Sequence, residues 1–203
     1  MITGATASTT IVNDDASYSV AAPAAAMEGD AGSTTDFSFT VTRSGDTGQV
    51  GSVQWAVQAA AGLTAGDFVT GQDALGNAGL PSGILNFAAG QSSQTVTVQV
   101  QGDLNLENDE TLALLFSNAT GGIFLDQDGV AVATQTATTS IQSDDDSFSI
   151  SADTASTFEG HADSTLTYTV TRTGSLTGAR DLTWTISGVE ASDLGDAQAM
   201  TGG

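Results

Sequence analysis

The stretch that decides the fold reads Phe37-Ser-Phe-Thr-Val-Thr-Arg-Ser-Gly, in which apolar and hydroxyl-bearing side chains alternate from Phe37 to Thr42. A period of two places Phe37, Phe39 and Val41 on one face of an extended strand and the Ser and Thr side chains on the other. Residues 53–58 and 95–101 show the same alternation. The pattern predicts an all-β chain whose sheets each have one buried face and one wet face, packed as a two-sheet antiparallel sandwich.

The same stretch returns about 130 residues later as Leu166-Thr-Tyr-Thr-Val-Thr-Arg-Thr-Gly. Ser17-Tyr-Ser-Val likewise returns as Ser147-Phe-Ser-Ile. Because this period exceeds that of a solenoid repeat, we expect each copy to be a domain. Residues 1–15 are then the tail of a preceding repeat, 16–146 a complete domain and 147–203 the N-terminal part of a following one. This division predicts that the sequence is one part of a longer tandem array of such domains.

Further strands are expected at 17–21, 84–88, 111–117 and 130–142, separated by glycine-rich turns, and no helix is expected. The strand pattern also predicts the side chains that fill the space between the sheets. This predicted core consists of Phe37, Phe39, Val41, Trp55, Val96, Val98, Val100, Leu112, Leu114 and Phe116.

The charge balance restricts the partners. The chain has 24 acidic residues, three Arg and no Lys, for a formal net charge of −21. Nucleic acids and anionic membrane surfaces are excluded as partners, because little here could neutralise phosphate groups. The absence of Cys excludes disulfides and thiol catalysis, and no apolar run approaches 18 residues, so no direct membrane insertion is expected. The acidity indicates a solvated surface, a set of cation ligands, or both.

Four acidic places in the complete domain lie beside predicted strand ends: Glu28, Asp67, the run 103–110 and the triplet 144–146. A β-sandwich gathers its loops at two ends, so these places can meet although they are far apart in sequence. Calcium takes six to eight oxygen ligands from carboxylates and carbonyls on such loops. Leu104 and Leu106 are expected to anchor the run 103–110. A divalent cation would remove the mutual repulsion of the carboxylates.

These places and the stretches around them resemble the Calx-beta domain family. The resembling stretches are Met27-Glu-Gly, Phe39-Thr-Val-Thr-Arg-Ser-Gly, Ala65-Gly-Asp-Phe, Leu85-Asn-Phe-Ala-Ala-Gly, Val98-Gln-Val-Gln-Gly-Asp, Leu106-Glu-Asn-Asp-Glu-Thr-Leu and Ile141-Gln-Ser-Asp-Asp-Asp. The resemblance implies an immunoglobulin-like sandwich with a Ca²⁺ cluster at one pole, near the linker to the next domain. The ligands it implies are Glu28, Asp67, Asp103, Glu107, Glu110, Asp144, Asp145 and Asp146.

Two positions depart from the calcium-sensing members of that family, where Gly102 and Asn105 stand in place of acids or at variable positions, so we expect one or two ions. In the last segment Glu159 and Asp193 match the ligand positions, and Asp14 and Asp15 match part of the triplet.

Catalysis is not expected. His161 is the only histidine, and no Ser or Asp constellation recurs around it. The acids lie in polar clusters, whereas glycoside hydrolysis requires one carboxyl in an apolar setting. Arg43 and Arg172 recur at the same place in the two copies, which indicates a structural role such as a salt bridge near the strand end.

The sequence therefore predicts a calcium-rigidified spacer module of a long extracellular or bacterial cell-surface protein, an adhesin or a fibre. Its partners are then neighbouring repeats of the same chain and other copies in a fibre. Two alternatives remain: a regulatory calcium sensor, and a subunit of a self-assembling extracellular filament. In the filament, another chain would add strands to the segment 147–203.

Overall fold

The computed structural model describes residues 6, 8–10, 15–153, 166–176, 178–188, 190 and 201–202. Asp14, Glu159, His161 and Asp193, singled out from the sequence, lie outside these residues. The chain divides into two compact units, Met1–Asp144 and Asp145–Gly203. The junction lies within two residues of the boundary expected between repeats, while the assignment of residues 1–15, 16–146 and 147–203 to three repeats stays a prediction. No described helix has the length and apolar character needed to span a membrane.

The first unit is a sandwich of two five-stranded sheets, so the predicted all-β, immunoglobulin-like sandwich is confirmed. One sheet has the order β6-β3-β1-β8-β9 and the other the order β2-β10-β7-β4-β5. The strands are β1 Ala16–Ala21, β2 Ala26–Met27, β3 Thr34–Gly45, β4 Gly51–Val57, β5 Ser82–Phe87, β6 Ser93–Gln101, β7 Glu110–Thr120, β8 Ile123–Leu125, β9 Ala131–Val132 and β10 Gln135–Gln142.

Most neighbouring strands are antiparallel, as expected, but two pairs are parallel: β1 with β8 and β2 with β10. The expected strand 130–142 is divided into two strands, β9 and β10. No helix was expected, but residues Ala65–Asp67 form a short 3₁₀ turn. In both parallel pairs a short strand adds to the edge of a longer one, which brings loops distant in sequence to the same end of the sandwich.

The core lies between the two sheets and contains nine of the ten side chains predicted for it. Trp55 is the exception, because its side chain is only partly buried and packs beside the core. It lies across from Gly83, where a Cβ would approach the indole to 3.0 Å. The core also includes aromatic residues that the pattern did not predict: Tyr18, Phe68, Phe87 and Phe124.

Strand order and register fix which loops share an end of the sandwich. β2 and β10 run parallel and finish together, with Met27 beside Gln142. β7 begins at Glu110 opposite Ile141 of β10, and β6 ends at Gln101 opposite Thr34 of β3. The loop after β2, the loop between β6 and β7 and the chain after β10 therefore lie at one end. We call this end the acidic pole, defined by Glu28, Asp67, Asp103, Glu107, Glu110 and Asp144.

The second unit contains β11 Asp146–Ala152, β12 Tyr168–Gly174, β13 Trp184–Thr185 and β14 Thr201–Gly202. β11 pairs with β12 in the register with which β1 pairs with β3: Phe148 opposes Arg172 as Tyr18 opposes Arg43. The repeated sequence thus folds into the same strand pair twice. β13 and β14 form a separate two-stranded sheet.

Candidate metal centre

The loop after β2 and the chain end after β10 are joined by hydrogen bonds at the acidic pole. Glu28 is only 5% exposed, and its N–H donates to the carbonyl of Gln142 at 3.0 Å. The next residue, Gly29, donates its N–H to Oδ1 of Asp144 at 3.1 Å. Two predicted ligands separated by more than 110 residues in sequence are thereby placed on adjoining backbone segments.

Glu110 has the most unusual environment of the six acids at this pole. It is the first residue of β7, and its side chain is buried. The pKa of its carboxyl is raised to about 7, chiefly by burial and in addition by the negative charges of Asp67 and Glu107. Within the described part of the chain no hydrogen-bond donor reaches this carboxyl. A Cβ at Gly62 would collide with its Oε1, so the carboxyl is packed against backbone.

Asp67 is placed by the 3₁₀ turn. Its carboxylate accepts a bond from the backbone N–H of Thr64, whose hydroxyl accepts from Gly66 at 3.1 Å, so the two form a capping box. The turn is held to β6 by the bridge of Phe68 with Val100. The Asp67 carboxylate therefore accepts a hydrogen bond within its own turn, and its negative charge also raises the pKa of Glu110.

Residues 103–109 of the acidic run form a mostly exposed loop. Asp103 accepts two hydrogen bonds from Asn105, from its backbone N–H and from its Nδ2, both at 2.6 Å. The expectation that Leu104 and Leu106 anchor this loop was wrong, since their exposed fractions are 70% and 47%. The loop instead contacts the chain after β10 through Asp109, whose Oδ1 accepts from the N–H of Ser143 at 3.3 Å. Asp109 was not among the predicted ligands, although it lies in the same acidic run.

Gly102 has a steric reason for lacking a side chain. It is buried and bonded to the opposite loop in both directions, through Gly32 N–H to Gly102 O and Gly102 N–H to Ser33 O. A Cβ here would collide with the carbonyl oxygen of Gly29. An acid at this position would therefore not fit the present backbone.

The triplet 144–146 is divided between the two units. Asp144 belongs to the first unit, and Asp145, which is buried, and Asp146 belong to the second. Oδ2 of Asp146 forms ion pairs with Nη2 of Arg172 at 2.7 Å and with Nε of Arg180 at 3.1 Å. The hydrogen bond from Arg172 is the main reason that the pKa of this carboxyl lies below its ordinary value. Asp146 is therefore committed to arginines within its own unit.

No three acidic or histidine side chains in the described ranges gather closely enough to hold a metal ion. The acidic pole contains six of the eight predicted ligands, and electrostatic coupling links Glu110 with Asp67 and Glu107, but this is not a ready-made coordination cage. The arrangement fits a hard cation in its donor chemistry, because the side chains that converge are all carboxylates. Closing them on an ion would require the exposed loop 103–109 to move.

No family model matches the chain, and no curated protein matches it. Three Calx structures are among the solved structures similar to it. The apo-form Calx CBD1 domain is 23% identical over 64% of this chain and 99% of its own, with a TM-score of 0.47. Calcium binding domain CBD12 of CALX1.1 is 26% identical over 54% of this chain and 38% of its own, with a TM-score of 0.42. CBD12 from CALX1.2 is 24% identical over 60% of this chain and 41% of its own, with a TM-score of 0.45.

The chain thus spans less than half the length of the two CBD12 chains. All three of these similar structures are Calx calcium-binding domains, the family whose motifs the sequence resembles.

Proposed function

We propose that the first unit is a calcium-binding structural module whose ion lies at the acidic pole. The observation that carries this proposal is the environment of Glu110, a buried carboxyl without a hydrogen-bond donor among the described residues and repelled by Asp67 and Glu107. Buried charges are normally paired or bound to metal. A divalent cation would supply the opposite charge that this carboxyl lacks.

The residues that would hold the ion are those that share the pole. Glu110, Asp67 and Glu107 are coupled electrostatically, and Glu28 and Asp144 lie on the adjoining segments linked through Gly29 and Gln142. Asp103 lies on the exposed loop between β6 and β7. Asp145 and Asp146 stay predictions from the family resemblance, and the arginine pairs of Asp146 compete with any ion for its carboxylate.

The mechanism we propose is mechanical. An ion at the acidic pole would tie the loops 62–67 and 102–110 to the chain that leaves β10, and so stiffen the exit from the domain. Binding to the folded state alone also raises its stability by mass action, by about 2.7 kcal/mol when calcium is at 100 times its Kd. We further propose that this serves as a spacer in an extracellular or cell-surface array, an adhesin or a fibre. The repeated strand pair and the net charge of −21 support that role.

Thermal unfolding of the 203-residue chain with calcium, with magnesium and with a chelator tests calcium binding. We expect calcium to raise the midpoint of the first unit, and the Glu110→Gln variant to lose most of that increase. The matched control is Asp46→Asn, which removes the same charge beyond the opposite end of β3. This control should keep the full increase. Equal midpoints in calcium and chelator would contradict the proposal.

Calorimetric titration then gives the number of ions, which we expect to be one or two. Small-angle scattering in calcium and in chelator separates the spacer from a regulatory sensor. If the module is a spacer, calcium should leave the shape of the domain unchanged and narrow the distribution of the maximum dimension of the particle. Micromolar affinity with a large change in domain shape would favour the sensor.

A further inference from the structure

A cavity of about 230 Å³ lies in the first unit where β1 begins and β3 ends. Two of the residues that line it, Ala16 and Arg43, are buried, and two others, Asp15 and Asp46, are exposed. The cavity therefore has a guanidinium on its buried side and two carboxylates at its mouth. Sites for drug-sized ligands have volumes of about 300 Å³ or more, so this cavity suits a smaller molecule.

Arg43 is a buried cation without a carboxylate partner in the described part of the chain. Its side chain is 2% exposed and donates to the backbone carbonyls of Gln49 and Gly121. Its Nε is also buried and has no acceptor among the described residues, where Arg43 forms no ion pair. Because buried charges are normally paired, a negatively charged group in the cavity would stabilise this guanidinium.

The second unit shows a carboxylate in the corresponding place. The register that pairs β1 with β3 pairs β11 with β12, so Arg172 takes the place of Arg43 and Asp146 takes the place of Ala16. Oδ2 of Asp146 lies 2.7 Å from Nη2 of Arg172. In the first unit the methyl group of Ala16 cannot make this pair, and Ala16 lines the cavity instead.

The two carboxylates at the mouth restrict which anion can enter. Asp15 and Asp46 extend the register of β1 and β3 by one residue pair, and the N–H of Asp46 donates to the carbonyl of Asp15 at 3.2 Å. Like charges at opposed positions of two strands repel each other. A simple anion that approached Arg43 would be repelled by both carboxylates, whereas a ligand that also carries a positive charge would be attracted by them.

We propose that this cavity binds a small zwitterion of the α-amino acid class. Its carboxylate would lie on the guanidinium of Arg43 and make charge-assisted hydrogen bonds, as Asp146 does with Arg172. Its ammonium group would lie between Asp15 and Asp46 and remove their mutual repulsion. The 12 residues of β3 separate this cavity from the acidic pole by roughly 35 Å, so binding here does not depend on calcium.

Titration of glycine into the full 203-residue chain tests this inference, with NMR signals of the Arg43 Nε–H and of the Gly121 and Gly122 amides as the readout. The chain has three arginines, so their side-chain signals can be assigned. We expect saturable shifts at all three groups. Acetate and methylammonium, which each carry one of the two charges, should bind at least about 10-fold more weakly than glycine.

The titration should give the same result with and without calcium, so that its failure is distinct from a failure of the calcium proposal. The inference is overturned if glycine causes no saturable shift of the Arg43 signal. It is also overturned if acetate binds as tightly as glycine, because the mouth carboxylates would then have no part in recognition.

Two variants test the buried side and the mouth of the cavity separately. Ala16→Asp supplies the carboxylate that Asp146 supplies to Arg172 and should weaken glycine binding at least about 10-fold. Asp15→Asn should weaken glycine binding and strengthen acetate binding. Asp36→Asn removes the same charge near the other end of β3 and should change neither.

Because Asp15 is exposed, its variant decides the question even if Ala16→Asp does not fold. The inference fails if Asp15→Asn keeps the full preference for glycine over acetate. It also fails if a folded Ala16→Asp protein binds glycine as tightly as the unchanged chain.

Discussion

The guanidinium of Arg43 lies over the ring of Tyr18, with 6.0 Å between its central carbon and the ring centroid. The two residues oppose each other across β1 and β3, and both are almost fully buried. Arg43 donates from Nη1 to the carbonyl of Gln49 at 2.6 Å and from Nη2 to the carbonyl of Gly121 at 2.7 Å. The salt bridge suggested for Arg43 from the sequence is thus replaced by backbone acceptors. Arg43 joins two loops that are about 70 residues apart.

Replacing Arg43 with Met should destabilise the first unit by about 3 kcal/mol, because two charge-assisted, partly buried hydrogen bonds to backbone carbonyl groups would be lost. The measurement is urea unfolding at pH 7. Arg180→Met is the matched control. Its side chain is 37% exposed, and its pair with Asp146 should contribute less than about 1 kcal/mol. A loss below 1 kcal/mol for Arg43→Met would show that the two loops do not depend on this side chain.

Phe39 and Tyr168 occupy the same place in the two copies but should respond very differently to truncation. Phe39→Ala leaves a cavity in the core and should cost about 3–5 kcal/mol in the free energy of unfolding of the first unit. Tyr168→Ala removes a half-exposed ring and should change stability by less than about 1 kcal/mol. Trp55 reports on the first unit and Trp184 on the second, so fluorescence of single-tryptophan variants follows each unit separately. Equal losses would mean that Tyr168 is buried in solution.

Glu110 makes the stability of the first unit depend on pH when no cation is present. The folded-state pKa of about 7 lies above the ordinary value of 4.5, so the folded protein holds a proton that the unfolded chain releases between these values. Stability should therefore fall as pH rises from 4.5 to 7. Glu110→Gln removes this dependence and should stabilise the chain in chelator at pH 7.5 by about 1 kcal/mol, after allowance for solvent screening.

Urea unfolding of both forms at pH 5.0 and pH 7.5, in chelator, measures this effect. The difference between the two forms should be larger at pH 7.5. A difference that does not change with pH would show that Glu110 titrates normally.

The fold could be predicted because period-two alternation is a local signal. The alternation within residues 37–42 is enough to predict which face of the strand is buried. Its copy at 166–171 forms the same strand pair in the same register. The partial exposure of Trp55 could not be predicted, because it depends on how the indole packs beside Gly83 on another strand.

The acidic pole was predictable in outline, since acids beside strand ends must lie at an end of the sandwich. Their partners were not. The arginines that hold Asp146 and the exposure of Leu104 and Leu106 depend on tertiary contacts that no local pattern encodes.

Gly102 should tolerate no side chain. Gly102→Ala would force its Cβ against the carbonyl of Gly29, and backbone cannot give way as a flexible side chain can. We expect a loss of about 1–3 kcal/mol from this overpacking. Gly66→Ala is the control, because the nearest atom to its added Cβ is the hydroxyl oxygen of Thr64 at 3.3 Å. Thermal unfolding in chelator compares them, and a stable Gly102→Ala protein would show that the two loops can separate.

Asp73 holds the loop between the 3₁₀ turn and β5 in place. The glycine-rich sequence of this loop did not indicate that role. Its Oδ1 accepts from the N–H of Asn77 and the hydroxyl of Ser82, both at 2.6 Å, and its Oδ2 accepts from the N–H of Gly79 at 2.9 Å. These bonds, that from Asn77 foremost, lower the pKa of its carboxyl to about 2. The stabilisation is therefore complete above pH 3.8 and is lost as pH falls toward 2.

Asp73→Ala should leave the core strands intact but free this loop. At neutral pH the amide protons of Asn77 and Gly79 should shift upfield and exchange faster, because a charged acceptor has been removed. The amides of β6 should keep their protection. Asp36→Asn is the matched control and should leave Asn77 and Gly79 unchanged, because the Asp36 carboxylate accepts from the half-buried side chain of Gln99, away from this loop. If these two amides keep their shifts and exchange rates in Asp73→Ala, the glycine-rich backbone holds the loop without the carboxylate.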